Sequence, residues 1–169
     1  MSHTVTITRT TTTTSATPLF INSGYLKTTP GLLKLAQLLL GAVCVGIVGY
    51  FWNRAYSYTA TNTRPELFFF LISVAFLIGT FCLLTACLFS LSTSSIISKT
   101  LYEVIYHGLA FILYLSASLT LLIEVNQRKN NYYQRKDYEA YLAAAVIGLV
   151  VSVLYLLSTF FANKTYRGI

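Results

Sequence analysis

Charged residues are scarce in this sequence. Only 10% of its 169 residues are Asp, Glu, Lys or Arg, whereas 55% are hydrophobic. An average soluble domain has about a quarter charged residues, because its surface must face water. The composition therefore excludes an ordinary soluble domain and indicates a protein whose apolar side chains face lipid.

Cysteines are few, and none of them lies in a loop. Cys44, Cys82 and Cys87 all fall inside long apolar stretches. An extracellular disulfide framework needs paired cysteines in loops, so this sequence cannot build one. Cysteine usage consequently leaves the redox compartment undecided.

Motifs for catalysis and cofactor binding are missing as well. The sequence has no nucleophile elbow, phosphate-binding glycine loop, CxxC or HExxH. Glu103 and His107 share one helical face at a spacing of four, but two such ligands fall short of a zinc site. We expect a structural pair at the membrane boundary, and no enzyme activity, metal, cofactor or small-molecule substrate.

Basic residues outnumber acidic ones, 12 to 5, and give a formal net charge of +7. They are spread over tails and loops and form no contiguous patch, so a nucleic-acid partner is not expected. Basic residues at the ends of apolar segments are typical of contact with anionic headgroups.

Four long apolar segments dominate what is present. The 20 residues between Glu103 and Glu124 carry no charge, and a helix of that length covers about 30 Å, the thickness of the hydrocarbon core. We predict an all-α integral membrane four-helix bundle in a domain at 30–163. Its transmembrane helices are predicted at 32–52, 67–91, 102–123 and 140–162. A disordered threonine-rich tail is predicted at 1–29 and a short basic tail at 164–169.

Small residues recur within these segments at a spacing of four, which lets two helix backbones approach closely. The first pair, Ala42 and Gly46, fits dimerisation as well as packing within one chain. The residues expected to pack the bundle are Ala42, Gly46, Ala75, Gly79, Gly108, Ser116, Ser118, Ala144, Gly148 and Ser152.

Lys27 and Lys34 lie at the start of the first segment, where we expect both to snorkel to the headgroups. Cys87 lies about one turn from the far end of the second segment. It could be palmitoylated if that end faces the cytosol, but we expect an unmodified, buried thiol.

An even number of spans places both termini on one side of the membrane. Six Lys and Arg residues belong to each side, so the positive-inside rule does not decide the orientation. The first residues lack the pattern of a signal peptide, which favours cytosolic termini.

The third segment carries a recognisable motif. Its residues 106–118 resemble the third span of the MARVEL-domain tetraspan family, and Gly31–Gly41 is similar to the family's first span. The motif residues are Tyr106, His107, Tyr114, Ser116, Ala117 and Ser118. The resemblance covers about residues 30–163. It implies cytosolic termini, a left-handed four-helix bundle and a role in membrane apposition.

Three hypotheses about function follow. The first is a non-enzymatic multi-pass protein of the plasma membrane or trafficking vesicles, which organises lipid domains and supports vesicle trafficking, cell junctions or cell fusion. Its partners would be membrane lipids, with a homo-oligomer or other membrane proteins as alternatives. The second is a small channel or transport subunit, which needs polar residues from several spans at one cavity. The third is an adhesion protein that uses the polar loop 125–139.

Overall fold

A computed structural model describes residues 23–55, 64–97, 99–127 and 135–168. Within these ranges the chain is helical and contains no strand. A short 3₁₀ helix, Ser23–Lys27, precedes five α-helices. These are α1 (Thr29–Ala55), α2 (Arg64–Phe89), α3 (Leu91–Ile97), α4 (Leu101–Gln127) and α5 (Arg135–Arg167). Most of the predicted N-terminal tail and the middle of the first and third loops lie outside the described residues.

Four of the helices are long and apolar enough to cross a membrane. The candidate spans are Thr29–Phe51, Pro65–Phe89, Leu101–Gln127 and Tyr138–Arg167. Helices suit this environment because they satisfy every backbone hydrogen bond internally, where no water is available to do so. The predicted all-α fold with four spans is confirmed.

The N-terminal boundary lies earlier than predicted. The last residues of the predicted disordered tail form the 3₁₀ helix, and α1 already begins at Thr29. Thr28 joins the two elements, because its hydroxyl donates to the Tyr25 carbonyl at 2.6 Å and accepts from the Gly31 amide at 3.3 Å. A threonine that caps a helix start in this way stabilises it.

Two further boundaries differ from the predictions. The serine-rich second loop contains α3, whose start is capped by the Ser90 hydroxyl accepting from the Thr93 amide at 3.1 Å. The predicted basic tail at 164–169 is largely the last turn of α5. Lys164 and Arg167 lie in that turn, where cations interact favourably with the helix dipole.

The long helices form a ring in the order α1, α2, α4, α5, and the α4–α5 contact is the most extensive. Neighbours in this ring run antiparallel. One end of the bundle, the terminal end, therefore holds the start of α1, the end of α2, the start of α4 and the end of α5. The opposite end is called the loop end.

The interior differs between the two ends. Near the loop end, the largest fully buried side chains are apolar: Cys44, Val48, Phe69, Leu121 and Val125. Near the terminal end they include Lys34, Gln37, Thr80, His107 and Tyr155. The outer surface carries exposed Leu, Ile, Val and Phe on all four long helices, as expected for contact with lipid. Buried polar groups are the unexpected feature, so they define the candidate site.

Candidate functional site

An ion pair lies inside the bundle near the terminal end. Lys34 of α1 is only 1% exposed and Glu103 of α4 only 4%. The Lys34 ammonium donates a hydrogen bond to the Glu103 carboxylate. A charge without a partner is very costly to bury, so each residue makes the burial of the other tolerable. The prediction that Lys34 snorkels to the headgroups is wrong, because it has a carboxylate partner within the bundle.

Tyr25 of the 3₁₀ helix completes the surroundings of Lys34. The Lys34 ammonium donates to the Tyr25 hydroxyl at 3.0 Å and lies 5.8 Å from the centre of its ring, within the range of a cation–π interaction. Burial raises the pKa of the Tyr25 hydroxyl above its ordinary value, so the group stays protonated. A residue that the sequence assigned to the tail is thus part of the site.

His107 lies one helical turn after Glu103 and is 1% exposed. Its Nε2 atom is 3.7 Å from the Glu103 carboxylate oxygen that Lys34 binds. The imidazole ring also contacts the rings of Tyr106 and Tyr155, with centroids 5.2 and 5.8 Å away. Glu103 and His107 do share a face, as their spacing indicated. Both side chains are buried within the bundle, and Glu103 lies in the first turn of α4.

Gln37 ties α1 to α5. Its amide nitrogen donates to the Leu154 carbonyl at 3.0 Å and to the Ser158 hydroxyl at 2.7 Å. Hydrogen bonds between helices stabilise membrane proteins, because lipid offers a polar side chain no alternative partner. Sequence reasoning missed this residue.

Three hydroxyls connect the remaining helices. The Thr80 hydroxyl of α2 is 2.7 Å from that of Tyr155 on α5 and 3.0 Å from that of Tyr106 on α4. Tyr106 also donates to the Phe76 carbonyl at 3.3 Å. These side chains, with the residues above, form what is here called the polar cluster: Tyr25, Lys34, Gln37, Thr80, Glu103, Tyr106, His107, Tyr155 and Ser158.

The polar cluster brings together side chains from all four spans, which the channel hypothesis requires. It lies in the terminal half of the bundle, whereas the largest fully buried side chains nearer the loop end are apolar and the carboxylate of Glu66 is buried there separately. No group of three His, Cys, Asp or Glu residues able to hold a metal occurs in the part of the chain that the structure describes. The arrangement neutralises buried charge and joins the helices.

Four of the predicted packing residues face the interior. Ser118, Ala144, Gly148 and Ser152 are buried, while Gly79 and Gly108 are half-buried. The closest approach is at Gly148, where an added Cβ would lie 2.6 Å from Phe69 Cε2 and closer still to the Ser118 hydroxyl.

Four other predicted packing residues, Ala42, Gly46, Ala75 and Ser116, are exposed. An added Cβ at Gly46 would meet nothing within 4 Å. As a prediction about packing within one chain, these assignments are wrong. A spacing of four does not specify which face of a helix turns inward, and the inward face of α1 carries Gly41, Cys44 and Val48 instead.

The resemblance motif lies mostly on the inward face of α4. His107, Tyr114, Ala117 and Ser118 are buried, and Tyr106 is half-buried. Tyr114 stacks on Tyr155 of α5 with ring centroids 5.6 Å apart. Ser116 is exposed, and its hydroxyl donates to the Leu113 carbonyl at 2.9 Å. The motif residues other than Ser116 thus contribute to the core of the bundle.

Cys87 is 1% exposed, whereas Cys82 is exposed on the outer surface. The 3₁₀ helix that contains Tyr25 packs against α2, which carries Cys87. The Cys87 thiol is therefore buried in the folded chain, as the favoured interpretation of the sequence requires.

This burial can be tested by thiol labelling. In a variant whose Cys44 and Cys82 are replaced by alanine, we expect Cys87 to react slowly with a water-soluble maleimide. Adding Tyr25→Ala should speed the reaction, because the 3₁₀ helix then leaves the thiol open to water. A chain whose single cysteine is Cys82 serves as the control and should not respond to Tyr25→Ala. Labelling of Cys87 as fast in the folded protein as in SDS would contradict this expectation.

Comparison with known proteins agrees with this architecture. The sequence model of the MARVEL family, described as a membrane-associating domain, matches residues 25–161. MARVEL domain-containing protein 1 of Xenopus laevis is 23% identical over 149 residues, which cover 85% of this chain and 79% of that protein. No solved structure shows a significant match.

Proposed function

Because the chain belongs to the MARVEL family of membrane-associating proteins, we propose that it is a non-enzymatic protein that organises the lipids around it and supports vesicle trafficking or membrane apposition. The observation that carries this proposal is the distribution of polarity. Polar side chains from all four spans bind one another inside the bundle, while the outer surface is apolar. Such a molecule offers its surroundings a surface for lipid contact.

Span length gives this surface a means of selecting lipids. The candidate spans have 23, 25, 27 and 30 residues. At about 1.5 Å per residue all four exceed a hydrocarbon core of about 30 Å, so they favour thicker bilayers or tilt within thinner ones. Residence in the plasma membrane and its trafficking vesicles, with both termini in the cytosol, is part of the proposal.

Depletion of the protein from cells that make it tests this role. We expect slower delivery of a surface-protein reporter to the plasma membrane, restored by the wild-type chain. Selective permeabilisation with tags at the two ends would place both termini. Unchanged delivery together with unchanged membrane contact would contradict the proposal.

A channel is the second candidate function, because the polar cluster contains polar residues from all four spans. A flux measurement separates the two candidates. If the protein organises lipids, purified protein in liposomes should pass protons and potassium no faster than protein-free liposomes of the same composition. Flux that rises with the amount of protein, and that Glu103→Gln alters, would favour the channel.

A further inference from the structure

The terminal end of the bundle presents exposed positive charge from several parts of the chain. Lys27 is the last residue of the 3₁₀ helix, Lys99 precedes α4, and Lys164 and Arg167 lie in the last turn of α5. All four side chains are exposed. Because these elements surround the same end of the ring, the cations form a basic rim around it.

Acidic residues do not neutralise this rim. Among the acidic residues of the sequence, Glu103 alone belongs to the terminal end, and it is buried against Lys34. The loop end has as many basic residues, but its acidic residues are Glu66, Glu124, Asp137 and Glu139. Six basic residues against one acidic residue give the terminal end +5, and six against four give the loop end +2. Together they make the net charge of +7.

From this asymmetry we infer that the basic rim, Lys27, Lys99, Lys164 and Arg167, binds the headgroups of anionic phospholipids in the leaflet that borders the terminal end. Charge complementarity specifies the partner, since clustered lysines and arginines beside a membrane attract anionic headgroups. Exposed Tyr102 and Tyr166 lie near the same end, where aromatic side chains suit the headgroup level. The Glu103 carboxylate is bound to Lys34 inside the bundle, so it does not weaken the attraction between the basic rim and anionic headgroups.

This inference deepens the proposed function and rests on it for its biological meaning, since it names the class of lipid that the protein would gather. The binding itself is a property of the purified chain and is measured without any cell.

Spin-labelled phosphatidylserine in phosphatidylcholine bilayers is a suitable probe. We expect the full chain to associate with phosphatidylserine more strongly than with labelled phosphatidylcholine. The rim variant, Lys27→Gln with Lys99→Gln, Lys164→Gln and Arg167→Gln, should lower this preference about threefold. High salt should lower the preference of the wild-type chain to the same level, because exposed charges are screened.

A matched variant at the loop end controls for total charge. It carries Arg128→Gln, Lys129→Gln, Arg135→Gln and Lys136→Gln, and we expect it to keep most of the preference. Thermal stability in detergent shows whether both variants fold, and the rim positions should tolerate the change because they are exposed.

Three results would overturn the inference. The first is equal association of the wild-type chain with both lipids. The second is a loop-end variant that loses as much preference as the rim variant. The third is release of phosphatidylserine by inorganic phosphate beyond the effect of chloride at equal ionic strength, which would indicate a site for free phosphate.

If the rim variant loses the lipid preference but still restores surface delivery in depleted cells, the proposed function survives without this lipid. If lipid preference holds while depletion changes nothing, the proposed function fails alone.

Discussion

Replacing Glu103 with leucine is expected to lower the free energy of unfolding by about 3–5 kcal/mol, because it leaves the Lys34 charge buried without a carboxylate. Lys34 is 1% exposed and cannot reach water without a rearrangement of α1 or of the 3₁₀ helix above it. Leucine is similar in size to glutamate. The decrease in the free energy of unfolding therefore comes mainly from the lost charge and not from a cavity. Equilibrium unfolding of the purified protein in detergent micelles with added SDS measures it.

The double variant Lys34→Met/Glu103→Leu shows whether the loss of stability comes from the unpaired Lys34 charge or from another effect of replacing Glu103. A buried pair replaced by apolar residues of similar size is often neutral, so we expect the double variant to lie within about 1 kcal/mol of the wild type. Lys164→Met is the control for loss of a lysine, and should change stability by less than about 0.5 kcal/mol because Lys164 is exposed. A double variant as unstable as Glu103→Leu would show that the pair is not the source of the loss.

The same double variant also tests whether the buried ion pair is needed for function. If Lys34→Met/Glu103→Leu folds as stably as the wild type and restores surface delivery in depleted cells, the polar cluster serves the fold alone. If it folds stably and fails to restore delivery, the buried charges have a role beyond holding the helices together. Ionisable residues inside a membrane are costly to bury, and many of those that occur have a function.

The four spans were predictable from the sequence because an apolar run of this length has few alternatives in lipid. The inward faces were harder to predict. In a soluble helix, apolar periodicity marks the buried side, but a span is apolar towards lipid and towards its neighbours alike. The small pair Ala42 and Gly46 consequently looked like a packing stripe, although α1 turns Gly41 and Cys44 inward.

A usable signal for the polar cluster was nevertheless present. Lys34, Gln37 and Gly41 follow one another at spacings of three and four, which places them on one helical face. Polar side chains on a shared face of a span turn away from lipid, because lipid cannot satisfy them. Pairing Lys34 with Glu103 needed the order of the helices in the ring, which places the starts of α1 and α4 at the same end and opposite each other across the interior. The sequence contains both residues but does not state that order of packing.

Gly148→Leu is expected to destabilise the bundle by about 3 kcal/mol, the upper part of the range for overpacked cores. An added Cβ would lie 2.6 Å from Phe69 Cε2 and closer to the Ser118 hydroxyl, and all three residues are buried. The larger side chain must therefore push α5 away from α2 and α4. Unfolding in SDS micelles measures the loss, and retention of the variant inside cells should accompany it.

Gly46→Leu is the matched control, since it makes the same change in a span at a position where nothing lies within 4 Å. We expect its stability to stay within about 0.5 kcal/mol of the wild type. Equal stability of the Gly148 variant would refute the packing argument for α5.

The Gly46→Leu variant also tests whether the exposed pair contacts another protein. If Gly46→Leu leaves the stability of the single chain unchanged but alters its oligomeric state or its location in cells, then the exposed pair Ala42 and Gly46 contacts a second protein, as the dimerisation alternative holds.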